Sequence, residues 1–217
     1  MKRLTLTILL LSLSLPLQAR TLDITARYSW IDLSGDTTLE NTDPEDIDDV
    51  DIEFDSETGY GLAVNLFIGN RLSLEASASR FEPEAAATSN NPAIVAGALD
   101  NLEVVPLTAV LQLHLFPEST FDPYVGAGIG YVLFDDIEDR EDFEQIDIER
   151  IDLEDDYGLV FNLGFSWDLM PGLALNVDGK YMPLDSAATV VFLTGPAEET
   201  SFEVNPLILS AGVSIQF

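Results

Sequence analysis

Cysteine is absent from this 217-residue chain, so the fold needs no disulfide. Basic residues are scarce: nine Lys and Arg stand against 39 Asp and Glu, for a formal charge of −30. With no basic patch to neutralise phosphates, nucleic acid is excluded as a partner. Histidine is reduced to His114, so any Ser-His-Asp chemistry would have to use it. After the first nineteen residues no run of eighteen apolar residues occurs, which excludes a later transmembrane helix.

The first nineteen residues themselves read as a secretory signal peptide. Lys2 and Arg3 form a basic start, Leu4 to Leu15 is mostly apolar, and Leu17-Gln18-Ala19 offers a cleavage site. Residues 20–217 then form one domain. Export and the lack of cysteine suit a chain that crosses the oxidising periplasm unfolded. Within that domain the clearest pattern is the last stretch, Phe202 to Phe217. Leu207, Leu209, Ala211, Val213, Ile215 and Phe217 alternate with Ile208, Ser210, Gly212, Ser214 and Gln216. Period-two alternation marks a strand with one apolar and one small or polar face. As a free edge it would invite aggregation, whereas in a closed barrel it pairs with the first strand. The apolar face then meets lipid and the other meets the lumen.

Seven further segments alternate in the same way: Leu22–Leu33, Gly59–Ile68, Leu72–Phe81, Leu102–Phe116, Tyr124–Phe134, Tyr157–Asp168 and the stretch from Met170-Pro171-Gly172 to Asp185. Connections after the second, fourth and sixth strands are short, and Gly69-Asn70 makes one of them a tight hairpin. The others are long. A soluble sandwich has no reason to sort loop length by parity, but short periplasmic turns and long extracellular loops belong to an outer-membrane barrel. The expectation is an all-β, eight-stranded antiparallel transmembrane β-barrel with long acidic extracellular loops, in the outer membrane of a Gram-negative envelope. Eight strands leave a narrow interior filled by side chains. Arg27, Phe67, Glu75, Val110, His114, Val160, Asp178 and Lys180 fall on the lumen side of the alternation. The charged members of that set must pair, since buried charges are paired or very costly.

Residues Phe121-Asp122-Pro123-Tyr124-Val125-Gly126-Ala127-Gly128-Ile129-Gly130-Tyr131, with Tyr181 to Asp185 and with Asn205-Pro206, Ser210-Ala211-Gly212 and Phe217, resemble the OmpW family. The resemblance is close over the fourth to eighth strands and looser over the first three. It implies an eight-stranded barrel whose relatives, alkane-uptake proteins among them, are associated with passage of small hydrophobic molecules. It also implies that some members serve as bacteriocin receptors. The chain departs from the family in its acidic loops and in Leu207, where the family often has an aromatic after the proline.

The remaining motifs point away from catalysis. Gly126-Ala127-Gly128-Ile129-Gly130 lies inside a strand with no helix after it, so it is no dinucleotide loop. Its inward glycines relieve crowding or let a ligand approach the backbone. His114 sits near the periplasmic end of its strand, the wrong end for an outer-leaflet lipid-modifying enzyme. No cofactor is implied. Asp36–Glu57 carries eleven acids and no base, and Asp135–Asp156 thirteen acids against Arg140 and Arg150. Neither has the spacing of a dedicated calcium loop, so no specific metal site is expected beyond loosely bound divalent cations. Alternation at Val50, Ile52 and Phe54, and at Ile146 and Ile148, suggests strands that extend above the membrane as an acidic collar.

Pro106, Pro183 and Pro206 lie ten, eleven and eleven residues from the periplasmic ends of their strands at Phe116, Gly172 and Phe217. A spanning strand needs about 9–11 residues, which puts all three near the outer interface. Each lacks a ladder donor, so each ends its strand or marks a break in the wall. The functional expectation is passive uptake of small hydrophobic molecules with lateral release into the outer leaflet. The alternatives are a non-transporting surface, receptor or envelope-integrity barrel, and a small cation-selective pore. Expected partners are outer-membrane lipids with lipopolysaccharide, and the hydrophobic solutes themselves.

Overall fold

A computed structural model describes residues 20–34, 37–39, 50–54, 56–89, 97–101, 103–134, 148–153, 155–192 and 198–217. The expected signal peptide, most of both acidic runs and Ile146 lie outside the described residues. Fourteen strands are present among those described. They are β1 (Leu22–Ser34), β2 (Thr37–Leu39), β3 (Val50–Phe54), β4 (Glu57–Ile68), β5 (Leu72–Arg80), β6 (Glu84–Ser89), β7 (Gly97–Asn101), β8 (Val104–His114), β9 (Phe121–Phe134), β10 (Ile148–Leu153), β11 (Asp156–Met170), β12 (Leu173–Tyr181), β13 (Leu184–Phe192) and β14 (Glu198–Gln216).

Eight of them make the wall, in the order β1-β4-β5-β8-β9-β11-β12-β14, and β14 returns to β1 to close it. The closing pair runs antiparallel from Asp23↔Gln216 to Ser34↔Asn205. Closure removes the edges that an apolar-faced sheet cannot leave open. The rest continue strand structure past the wall: β2, β3, β6 and β7 form a separate four-stranded sheet, while β10 and β13 pair beside the upper part of β14.

Alternation sorts the side chains. Leu62, Leu66, Leu111, Ile129, Leu159, Leu163 and Ile215 stand exposed on the outer surface, and the intervening residues are buried or half-buried. Exposed tyrosines gather toward one end, with Tyr28 paired to Tyr60 and Tyr157 to Tyr131. Exposed Phe121 and Trp167 pair at the other end, where Phe116 and Phe217 are also exposed. Along β9, Phe121 and Tyr131 are ten residues apart. At about 3.3 Å per residue and a tilt of about 40°, that is about 25 Å of height, matching the apolar band between two aromatic girdles.

Two of the short turns take a glycine with positive φ, Gly69 (76°) after β4 and Gly172 (81°) after β11. Most other residues enter that region only with strain, asparagine being the usual exception. The long connections are all on the opposite side, which is therefore the extracellular one.

Candidate functional site

The interior divides into two halves by the chemistry of its inward residues. In the periplasmic half most of them are polar and bonded to one another. Arg27 from β1 reaches Glu75 on β5 (Nη2 to Oε2, 2.6 Å) and Asp178 on β12 (Nη1 to Oδ1, 3.5 Å). Lys180 on β12 bridges the same two carboxylates, at 2.8 Å to Glu75 Oε1 and 2.6 Å to Asp178 Oδ1. Two cations and two anions, each at most 5% exposed, thus join strands from opposite sides of the barrel. Asn162 Nδ2 and Tyr124 Oη donate to Asp178 Oδ2, and Gln112 Nε2 donates to Glu75 Oε2. A network this densely bonded holds the strands and fills the lumen, although Arg27 Nε and Asn65 Oδ1 are buried without a partner.

Beneath it His114 lies between Ser73 and Asp122: Nε2 is 3.0 Å from Ser73 Oγ and Nδ1 is 2.7 Å from Asp122 Oδ2. These side-chain types in this order make a nucleophile, base and orienting acid in hydrolases. Here Ser73 is fully enclosed and its hydroxyl also lies 3.1 Å from Gln112 Oε1. Phe67 and Tyr124 pack their rings on the imidazole, and Arg20 stacks on Phe67 while pairing with Asp23. The arrangement closes the periplasmic mouth and offers no approach to the serine.

The outer half is different. From Ile31 and Leu33 on β1 round to Ile208 on β14, the inward side chains are apolar and enclosed, and they include Phe81, Val104, Val132, Val160, Met182 and Leu184. Sequence reasoning placed a small polar face toward the whole lumen. Polar positions such as Ser29 and Ser210 in fact give way to Ile31 and Ile208 as the strands rise. The signal lay in the sequence, in the switch of the inward positions from polar to aliphatic. It was masked because both faces of each strand are then apolar. Of the expected lumen residues, Arg27, Glu75, Asp178, Lys180, Phe67 and His114 lie in the polar half. Val160 faces the apolar half, and Val110 is wholly buried just below it.

The three prolines sit at this apolar level. On β8 the even-numbered backbone groups face β5, since His114 N–H donates to Arg71 O. Pro106 belongs to that set and has no N–H to give to the Ser79 carbonyl. Correspondingly, pairing between β5 and β8 stops at Ala78↔Leu107 and resumes only at the Phe81↔Val104 bridge. Pro206 is in register with Leu33, and its carbonyl accepts from Met182 N–H at 3.1 Å. It cannot return a bond to Met182. With Met182 N–H turned to β14, the neighbouring Pro183 faces β11 and again has none to offer. On that seam the last pair of β11 with β12 is Phe161↔Tyr181, and the next described pair is Leu153↔Ala188 between β10 and β13. Side chains of Pro106 and Pro206 are buried, whereas Pro183 is exposed toward lipid.

This architecture has close parallels. Over 92% of its length the chain matches 96% of outer membrane protein OprG from Pseudomonas aeruginosa, with a TM-score of 0.77 at 21% identity. It also matches the structure of AlkL in lipid bilayers, with a TM-score of 0.68 at 22% identity and 94% of both chains covered. In sequence it is 29% identical to outer membrane protein AlkL of Ectopseudomonas oleovorans, over 84% of this chain and 73% of that one. It is 28% identical to outer membrane protein W of Vibrio cholerae, over 77% of each. The OmpW family model matches residues 19–217. A wall of eight antiparallel strands, aromatic girdles and a match that spans the whole barrel make the chain a Gram-negative outer-membrane protein of the OmpW family.

Proposed function

We propose that this barrel is a passive conduit for small hydrophobic molecules, which enter from the extracellular side and leave sideways into the outer leaflet. One observation carries the reading: the apolar half of the interior is stopped below by the ion-paired network, and at that same level proline interrupts the hydrogen-bonded wall. A solute that partitions into the apolar half gains nothing by going down, where it would have to separate buried charges. The wall is its easier exit, because a missing ladder bond leaves only side-chain packing to part. The family's association with passage of small hydrophobic molecules supports the same reading.

The test is restoration of the ladder. Pro106→Ala gives back the donor to Ser79, and an unmade backbone bond in lipid costs several kcal/mol. The variant should unfold at higher temperature and take up apolar solute more slowly, with Pro206→Ala as the companion change on the other side of the barrel. Uptake at the wild-type rate in a correctly assembled double variant would overturn lateral release.

A further inference from the structure

Resting on the lateral-release reading, we infer that Met182 and Leu184 are the movable part of the wall. The slot they occupy selects unbranched apolar chains. Both residues flank Pro183, point inward and are almost wholly enclosed, at 1% and 3% exposure. Facing them, β9 and β11 present Gly130 and Gly158, which are directly paired. A Cβ on Gly130 would fall on Met182 Sδ and lie 2.9 Å from Val160 Cγ2. One on Gly158 would lie 2.6 Å from Leu184 Cδ2 and 2.7 Å from the Pro183 carbonyl oxygen. The two side chains therefore sit in space that exists only because the neighbouring strands carry glycine there.

Ladder bonds hold most of the wall, but none is described here between Phe161↔Tyr181 and Leu153↔Ala188. What keeps the Met182–Leu184 segment against β11 is apolar packing in the glycine slot. An alkyl chain cannot replace a backbone hydrogen bond, yet it can replace a methionine side chain at little net cost, since one apolar contact is exchanged for another. Methionine suits the role because it is unbranched, with several rotatable bonds, and repacks readily. On its other side the segment stays tied to β14 through Met182 N–H and Pro206 O, which acts as the hinge. The slot is bounded by Val160 and by the Pro183 backbone. A branched or cyclic molecule must push against Val160 and the Pro183 backbone to enter it.

Two substitutions act on the slot in opposite directions. Gly130→Ala places a methyl where Met182 sits, and its nearest neighbours are side-chain tips that can give way. Met182→Ala empties the slot. Uptake of n-octane and of cyclooctane is measured in proteoliposomes or whole cells, with barrel assembly checked by the heat-dependent gel shift. Wild type should favour n-octane. Met182→Ala should reduce that preference about tenfold, the scale on which apolar sites resolve small differences in shape. Gly130→Ala should slow n-octane. Met182→Leu, which conserves volume and adds a branch, repeats the comparison should either variant fail to assemble. If wild type carries both solutes and the ratio is the same in all assembled variants, the slot assignment falls while the conduit stands. If wild type carries neither, the conduit falls and the slot with it.

Discussion

Arg27 shows how a single side chain organises the interior. Its guanidinium spans β1, β5 and β12 through Glu75 and Asp178, both enclosed with it. Removing one member of such a cluster strands a charge in a medium that cannot solvate it, which costs about 3–5 kcal/mol. Arg27→Met should therefore lower the unfolding free energy by about that amount in a urea titration in lipid vesicles. Arg27→Met with Glu75→Gln leaves one neutral pair, Lys180 with Asp178, and should recover more than half of the loss. A double variant as weak as the sum of its singles would mean that the carboxylate is not coupled to the arginine. His114 belongs to the same class of residue. Its two ring nitrogens link β5 to β9 through Ser73 and Asp122.

Among the elements, the β4–β5 hairpin depends on one backbone angle. Gly69 has φ near 76° and nothing within 4 Å of where a Cβ would be. The cost of a side chain there is therefore conformational alone. Gly69→Ala should destabilise the barrel by about 1–2 kcal/mol in urea unfolding. Gly69→Asn should cost less, because asparagine tolerates the left-handed region. Equal losses for both would point to some cause other than φ. The longest element, β14, illustrates a division of labour along one strand. From Asn205 to Gln216 it closes the barrel against β1, and from Glu198 to Val204 it pairs with β13 beyond the wall. Pro206 lies at the junction of the two parts, where the chain leaves β12 for β13 as its neighbour on that side.

At the scale of the whole molecule, the decisive feature is that the barrel is closed at one end and weakened at the side of the other. The four-charge network and the Arg20–Phe67–His114–Tyr124 stack lie one above the other across the periplasmic half. Ions meeting this floor would have to break pairs that hold the strands. Planar-bilayer recording of the purified barrel should accordingly show no sustained ohmic conductance, and Glu75→Ala with Arg27→Ala should raise it. A steady cation-selective current in wild type would favour the pore reading and remove the floor from the argument for lateral exit.

Alternation with a period of two was enough to locate eight wall strands, their antiparallel order and the sorting of short and long connections. The reason is that a membrane forces the outer face to be apolar whatever surrounds it. The same periodicity assigned Arg27, Glu75, Asp178 and Lys180 to the inward face before any partner was known, since facing is a local property of the strand. Partners are not local. That Arg27 meets Asp178, 151 positions on, depends on the curvature and stagger that bring β1 and β12 across one lumen. The level at which the interior turns apolar, and the seating of Met182 over Gly130, depend likewise on the register of four strands at once. Proline could be read in the sequence as a missing donor. Which seam lost the bond followed only from the tertiary structure, because the direction of each backbone group is set by pairing and not by residue type.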